Sequence, residues 1–219
     1  MRYSASKENY IKAIYHLQQS GSAVSTNALA QALQTKPASV TDMLQKLGEQ
    51  GLLVYAKYRG VILTEAGHVL ALQIVRKHRL WESFLVTKLG LGWEEVHEIA
   101  EELEHINHER LIDRLDHFLG NPTTDPHGDP IPNKAGVIPA RKQVLLDQAE
   151  IGKSVLVCGI VDQSASFLEQ LQAYKIGLGT QLELIKRFSF DQSIQIKMGK
   201  RTAFSISQHV TQNLYVTYA

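Results

Sequence analysis

Five of the six prolines fall in one stretch, NPTTDPHGDPIPNKAGVIP at residues 121–139, and the chain changes texture across it. Proline has no amide proton to give a helix interior or a central strand, so this stretch predicts a surface-hugging linker. Ahead of it, apolar residues recur at intervals of three and four; behind it, they alternate in short runs. The chain is therefore expected to be mainly α with α+β parts, helical first and strand-rich last. With 219 residues, 44% of them hydrophobic, it can bury a core, and its length allows one large domain or two to three small ones.

The first helix is read from Ser6 to Ser20, with Tyr10, Ile11, Ala13, Ile14 and Leu17 on one stripe and Lys7, Lys12 and Gln18 outside it. Ser25 then stands as an N-cap before TNALAQALQ, and Pro37 opens a third helix on Val40, Met43, Leu44 and Leu47 that Gly51 ends. Two short helices three to four residues apart form a helix-turn-helix pattern. Leu52 to Ala56 and Val61 to Thr64 follow as two strands around the basic turn KYRG, the shape of a wing. Lys36, Pro37, Ser39, Thr41, Asp42, Gln45 and Lys46 on the second helix of the pair, with Lys57, Tyr58 and Arg59 at the wing tip, are the candidate contacts to double-stranded DNA. A plain surface helix and a soluble turn are the alternatives.

Residues 1–70 carry a net charge of +3, residues 71–150 a net −5 and residues 151–219 a net +3. A basic start suits phosphate, because lysine and arginine displace condensed counterions; an acidic middle suits a cation. The lone cysteine, Cys158, excludes an internal disulfide and a multi-thiolate zinc site, and is consistent with a reducing cytoplasm. No apolar run approaches the roughly 18 residues of a membrane span, and MRYSASKENY has no signal core. The expectation is a soluble cytoplasmic protein.

A long helix is predicted from Glu65 to about Leu89 with Thr64 as its cap, then an acidic helix from Trp93 to about Asn107 and a third from Glu109 to Leu119. On the acidic helix His97, Glu101, Glu104 and His105 are spaced by four, three and one, so they are expected to share a face; His78 and Glu82 form an i, i+4 pair on the long helix. Imidazole and carboxylate without thiolate suit Mn²⁺ or Fe²⁺. Glu98, Glu101, Glu102 and Glu104 lie within seven residues with no lysine or arginine among them, and a cation would relieve their repulsion. The alternative is a solvated acidic face with ordinary histidines, the reading given to His16, His68, His117 and His209. Past the linker, KSVLVCGIV, TQLELIKRF, SIQIKM and TAFSISQHV around a helical SFLEQLQAY predict a small antiparallel barrel.

The blocks ENYIKAIYHL, KPASVTDMLQKLGEQGLL, VRKHRLWE, VHEIAEELEHINHE and HGDPIP, in this order, make the chain resemble the diphtheria toxin repressor family of metal-dependent regulators, and in particular its manganese transport regulator branch. That resemblance implies a winged-helix domain over 1–72, a helical metal-binding and dimerisation domain with the linker over 73–140, and an SH3-like domain over 141–219. It implies a homodimer on a palindromic operator, repressing transcription when metal binds. Its primary site would take Glu101, Glu104 and His105 plus a ligand from the first helix, where Asn9 stands in place of methionine or aspartate. Glu101 replaces the cysteine of the iron-responsive branch, which points to Mn²⁺ over Fe²⁺. Lys12 stands where the smaller manganese regulators place a second glutamate, which argues against their closely spaced pair of ions. His78, Glu82 and His97 would form an ancillary site, with Asp162 and Gln163, or else Glu169, lent by the C-terminal domain. A winged-helix regulator with an organic or protein effector is the competing reading. With no HExxH, activated nucleophile or phosphate loop, a metal-dependent hydrolase is not expected, and neither is any other enzyme.

Overall fold

A computed structural model describes residues 3–218 except Ser20, Ser22, Lys57, Tyr58, Arg59, Glu94 and residues 140–142. The wing tip therefore lies outside the described residues. The chain forms two compact units, one of Met1–Trp81, Glu98–Asn121 and Ile131–Ile138, the other of Glu82–His97, Pro122–Pro130 and Pro139–Ala219.

The first unit opens with α1 (Ala5–Gln18), α2 (Thr26–Ala32) and α3 (Pro37–Glu49), then β1 (Leu53–Ala56) and β2 (Gly60–Leu63) as an antiparallel hairpin. The Ser25 hydroxyl accepts the Ala28 amide and starts α2; Pro37 takes the first turn of α3, where its missing amide proton costs nothing. Between them Gln34 adopts a left-handed φ of 48°, which reverses the chain tightly enough for the Thr35 amide to reach back to the Ala30 carbonyl. Ile11, Ile14, Leu29, Val40, Leu44, Leu47 and Val61 share one core with Ala71 and Ile74 of α4 (Glu65–Leu89).

The root of the hairpin is fastened to the first turn of α4. The Thr64 hydroxyl donates to the Gly51 carbonyl and accepts the Gly67 amide, and the Thr64 amide donates to the Leu52 carbonyl. At Gly67 the helix runs so close to the hairpin that a β-carbon there would stand 1.9 Å from the Leu52 carbonyl oxygen.

The acidic helix is shorter than its sequence predicts. α5 spans Val96–Leu103 and α6 spans Glu109–Phe118, so Glu104 and His105 lie on the turn after α5 and not on one helical face with His97. The turn tightens because the Ile106 amide donates to Leu103 and Glu104 is drawn wholly inside. Arg76 of α4 donates to Asp116 of α6 and to the Pro132 carbonyl, which anchors the end of the linker.

In the second unit the sheet order is β3-β8-β4-β5-β6-β7, all pairs antiparallel. The strands are β3 (Val144–Leu145), β4 (Ser154–Ile160), β5 (Gln181–Arg187), β6 (Ile194–Lys197), β7 (Phe204–Ile206) and β8 (Leu214–Tyr218), with α7 (Ala165–Tyr174) and a short α8 (Gln208–Thr211) between them. β3 and the interior strand β8 escaped the sequence reading. Val155, Val157, Leu168, Leu171, Leu182, Leu184, Ile196 and Val216 form its core, and Trp93 packs against it.

Candidate metal centre and nucleic-acid interface

Within the first unit, α1 and the turn after α5 bring their charged residues together. Lys12 Nζ lies 2.5 Å from Glu101 Oε1 and 2.7 Å from the Glu104 carboxylate. Glu104, with no exposed side-chain surface, also accepts a 2.7 Å bond from His78 Nδ1 of α4. His105 donates from Nδ1 to Glu8 Oε2 at 2.7 Å, so its other nitrogen, Nε2, is the one that faces Glu104, at 3.9 Å from Oε1. Glu8 accepts the Asn107 amide as well, and Lys77 lies 3.6 Å from it. Burial pulls the Lys77 pKa below the usual lysine value, against the opposing pull of Glu8 and Glu104.

Asn9 sits beside Glu8 on α1. Its side-chain oxygen is buried and accepts no hydrogen bond among the described residues, although a buried amide oxygen without a partner is costly. A cation at this oxygen would settle the cost. The donors gathered here are oxygen and imidazole nitrogen only, a set that suits Mn²⁺ or Fe²⁺. Glu8 was not singled out in the sequence; its signal is position, one residue before the candidate ligand Asn9. A carboxylate that holds the far nitrogen of a ligating histidine fixes the ring and its tautomer.

A second cluster lies wholly within the other unit. Glu82 from α4 and Asp125 and His127 from the linker are all buried, with candidate ligand atoms within 4.8 Å of one another. Asp125 Oδ1 accepts the amides of His127 and Asp129, which folds the linker into a closed loop. Gly128 takes φ +88° at its tip, where a β-carbon would come 2.3 Å from the Cys158 carbonyl. His127 donates from Nε2 to the Trp93 carbonyl and stacks on the Trp93 ring, which leaves Nδ1 toward Glu82 at 3.7 Å. Burial lowers the His127 pKa, but Glu82, Asp125 and the Trp93 carbonyl together outweigh it and hold the value above the usual 6.5. Asp125 and His127 lie in the proline-rich stretch that composition marks as a linker, so residue type alone did not point to them.

Of the ancillary residues expected from the sequence, His97 lies with Glu82, Nδ1 to Oε1 at 3.3 Å, while His78 bonds Glu104. Asp162 Oδ1 accepts the Ser164 amide ahead of α7, and Gln163 donates to Asp129 in the linker loop. Glu169 is exposed on α7.

Lys36, the N-cap of α3, is exposed, as are Pro37, Ser39, Asp42, Gln45 and Lys46 on the helix, and Thr41 is half-buried with its hydroxyl donating to the Pro37 carbonyl. Asp42 and Lys46 pair at 2.7 Å one turn apart. Lys57, Tyr58 and Arg59 lie outside the described residues.

Comparisons with known proteins agree along the whole chain. Residues 2–61 match the profile of the iron dependent repressor N-terminal DNA binding domain, residues 64–133 that of the iron dependent repressor metal binding and dimerisation domain, and residues 144–218 that of the FeoA domain. The iron-dependent repressor IdeR of Mycobacterium tuberculosis (strain ATCC 25618 / H37Rv) is 41% identical over 125 residues, 57% of this chain and 54% of that protein. The chain thus spans about half the length of the IdeR relatives it matches. The regulator MntR of Oceanobacillus iheyensis is 39% identical over 50% of this chain and 74% of its own length. A solved structure described as a manganese-dependent transcriptional repressor complex with manganese superposes with a TM-score of 0.85 at 34% identity, covering 97% of this chain and all of that one. By fold, by profile and by relatives, the chain belongs to the iron-dependent, or diphtheria toxin, repressor family of metal-dependent regulators.

Proposed function

We propose that this chain is a metal-dependent DNA-binding transcriptional repressor of metal-ion homeostasis, working as a homodimer on a palindromic operator. One observation carries the reading: the buried Asn9 oxygen, which accepts no hydrogen bond among the described residues, stands on the same helix as the residues that meet Glu101, Glu104 and His105. Asn9, Glu101, Glu104 and His105 hold the effector, and Glu8 keeps the His105 ring turned so that Nε2 is the donor. Bound, Mn²⁺ supplies the positive charge that draws oxygen and nitrogen donors from α1 and the turn after α5 together. Fe²⁺ fits the same donors; Glu101, an oxygen ligand in place of a softer thiolate, favours Mn²⁺. Glu82 with His97, Asp125 and His127 forms the ancillary site, and Asp162 and Gln163 support it from the C-terminal part of the same unit.

Fixing α1 matters for DNA because Gln18, at its end, accepts the Leu63 amide of β2, and α1 shares its core with α3. Clamping one end of α1 therefore restrains both the hairpin and the helix that presents Gln45 and Lys46. In a dimer this sets two α3 helices near one turn of DNA apart, about 34–36 Å or a multiple. Reciprocity then requires operator DNA to tighten metal binding. The test is a mobility shift on the chain's own upstream DNA, run anaerobically with Mn²⁺, Fe²⁺, Zn²⁺ and no metal. Retardation is expected only with metal, and to be lost in Glu104→Ala and His105→Ala. Variants that bind without metal as tightly as the loaded wild type would overturn the mechanism.

A further inference from the structure

Lys12 is a residue of the primary cluster that a cation-binding site does not need, and it bridges two of its carboxylates. Its side chain is nearly buried, and its ammonium contacts the two carboxylates, Glu101 and Glu104, that the metal-responsive reading assigns as ligands. Around it the buried or half-buried charges are the carboxylates of Glu8, Glu101 and Glu104 and the ammoniums of Lys12 and Lys77. Two of the three negative charges are thus already answered from within the chain. Glu104, drawn wholly inside, meets the Lys12 ammonium and the His78 ring there, so any ion that takes its carboxylate must displace a partner already in place.

We propose that Lys12 is a tethered rival of the divalent effector, holding Glu101 and Glu104 until metal displaces its ammonium, and so setting the concentration at which the site loads. The inference rests on the metal-responsive reading and adds to it a threshold. A site whose carboxylates must first be surrendered by an internal cation binds more weakly than the same donors left bare, because part of the gain from metal is offset by the lost ion pairs. Lys12 lies one turn after Glu8 and Asn9 on α1, so its release and the capture of Asn9 occur on one helix face.

The test titrates Mn²⁺ into the full-length wild type, Lys12→Met and Lys12→Arg by calorimetry. Lys12→Met, which keeps the length and removes the charge, is expected to bind Mn²⁺ at least tenfold more tightly, and Lys12→Arg to stay near wild type. In parallel the wild type is acylated with a lysine-reactive ester, with EDTA or saturating Mn²⁺, and read by mass spectrometry against exposed Lys200. Lys12 is expected to be protected in EDTA and several-fold more reactive with Mn²⁺. The acylation arm needs no variant, so it decides the matter even if Lys12→Met does not fold. Mn²⁺ uptake by wild type with Lys12 equally protected in both states, or Lys12→Met binding no tighter than wild type, overturns the rival-cation role and leaves the metal reading standing. No Mn²⁺ uptake by any of the proteins overturns both.

Discussion

Glu104→Gln isolates charge from shape, since the amide fills the same volume. In the wild type the Glu104 carboxylate takes Lys12 at 2.7 Å and His78 at 2.7 Å, with none of its side chain exposed. The amide keeps one acceptor oxygen but turns a donor toward one of two groups that are themselves donors. Removing one member of a buried ion pair typically costs about 3–5 kcal/mol, because the remaining charge has no solvent to return to. For a chain of this size each kcal/mol moves the melting temperature by about 2–4 °C, so melting in EDTA should fall by about 6–20 °C. Saturating metal at roughly 100 times its dissociation constant should stabilise the wild type by about 2.7 kcal/mol per site. In Glu104→Gln the increment from the primary site should vanish. Calorimetric melting with EDTA and with Mn²⁺ measures both quantities. A variant melting within about 2 °C of wild type in EDTA would show that the buried pair contributes little, and the electrostatic account of this site would fail.

Asn9→Asp, which places an ionised oxygen where the amide oxygen has no hydrogen-bond partner among the described residues, should tighten Mn²⁺ binding at least about tenfold by titration calorimetry; unchanged affinity would remove Asn9 from the ligand set. On α3, Gln45→Ala should cost about 1–3 kcal/mol on the preferred operator and relax selectivity at one base pair, whereas Lys36→Ala should weaken all sequences alike and lower the salt slope by about one. A uniform loss for Gln45→Ala in a binding-site selection would reassign it to the backbone. His127, held above 6.5 by Glu82 and Asp125 despite burial, contributes stability that is full below that value and is lost as pH rises through its raised pKa. The stability gap between wild type and His127→Gln in EDTA should therefore be wider near pH ~5.5 than near pH ~8, and a gap independent of pH would refute the assignment.

Where a boundary is set by local chemistry, the sequence announced it. Ser25 and Thr64 each accept the amide three residues on, Pro37 fits a first turn that needs no amide proton from it, and α2, α3 and α4 begin where those residues place them. The end of α5 depends on partners far away in the chain. Nothing near Glu104 predicts that Lys12, 92 positions earlier, will draw it inward and stop the helix at Leu103. The residue types of the primary cluster were likewise legible, being clustered on two short segments; the resemblance put Lys12 at a ligand position, but its ion pairs with Glu101 and Glu104 were not legible. Asp125 and His127 failed for another reason. Prolines say what a segment cannot be, and they are silent on what it folds against, so a loop that packs its Gly128 onto the Cys158 carbonyl looked like a spacer.

The fastening of the hairpin at Gly67 leaves the first unit without a swivel where one would be expected, between the strands and the helix that follows them. His78 lies eleven residues further along α4, about 16 Å of unbroken helix. α4 thus works as a shaft keyed to the hairpin, joining His78 to the strands through continuous helix. At the hairpin end of that shaft Gly67, with the Leu52 carbonyl against its α-carbon, has no room for a side chain.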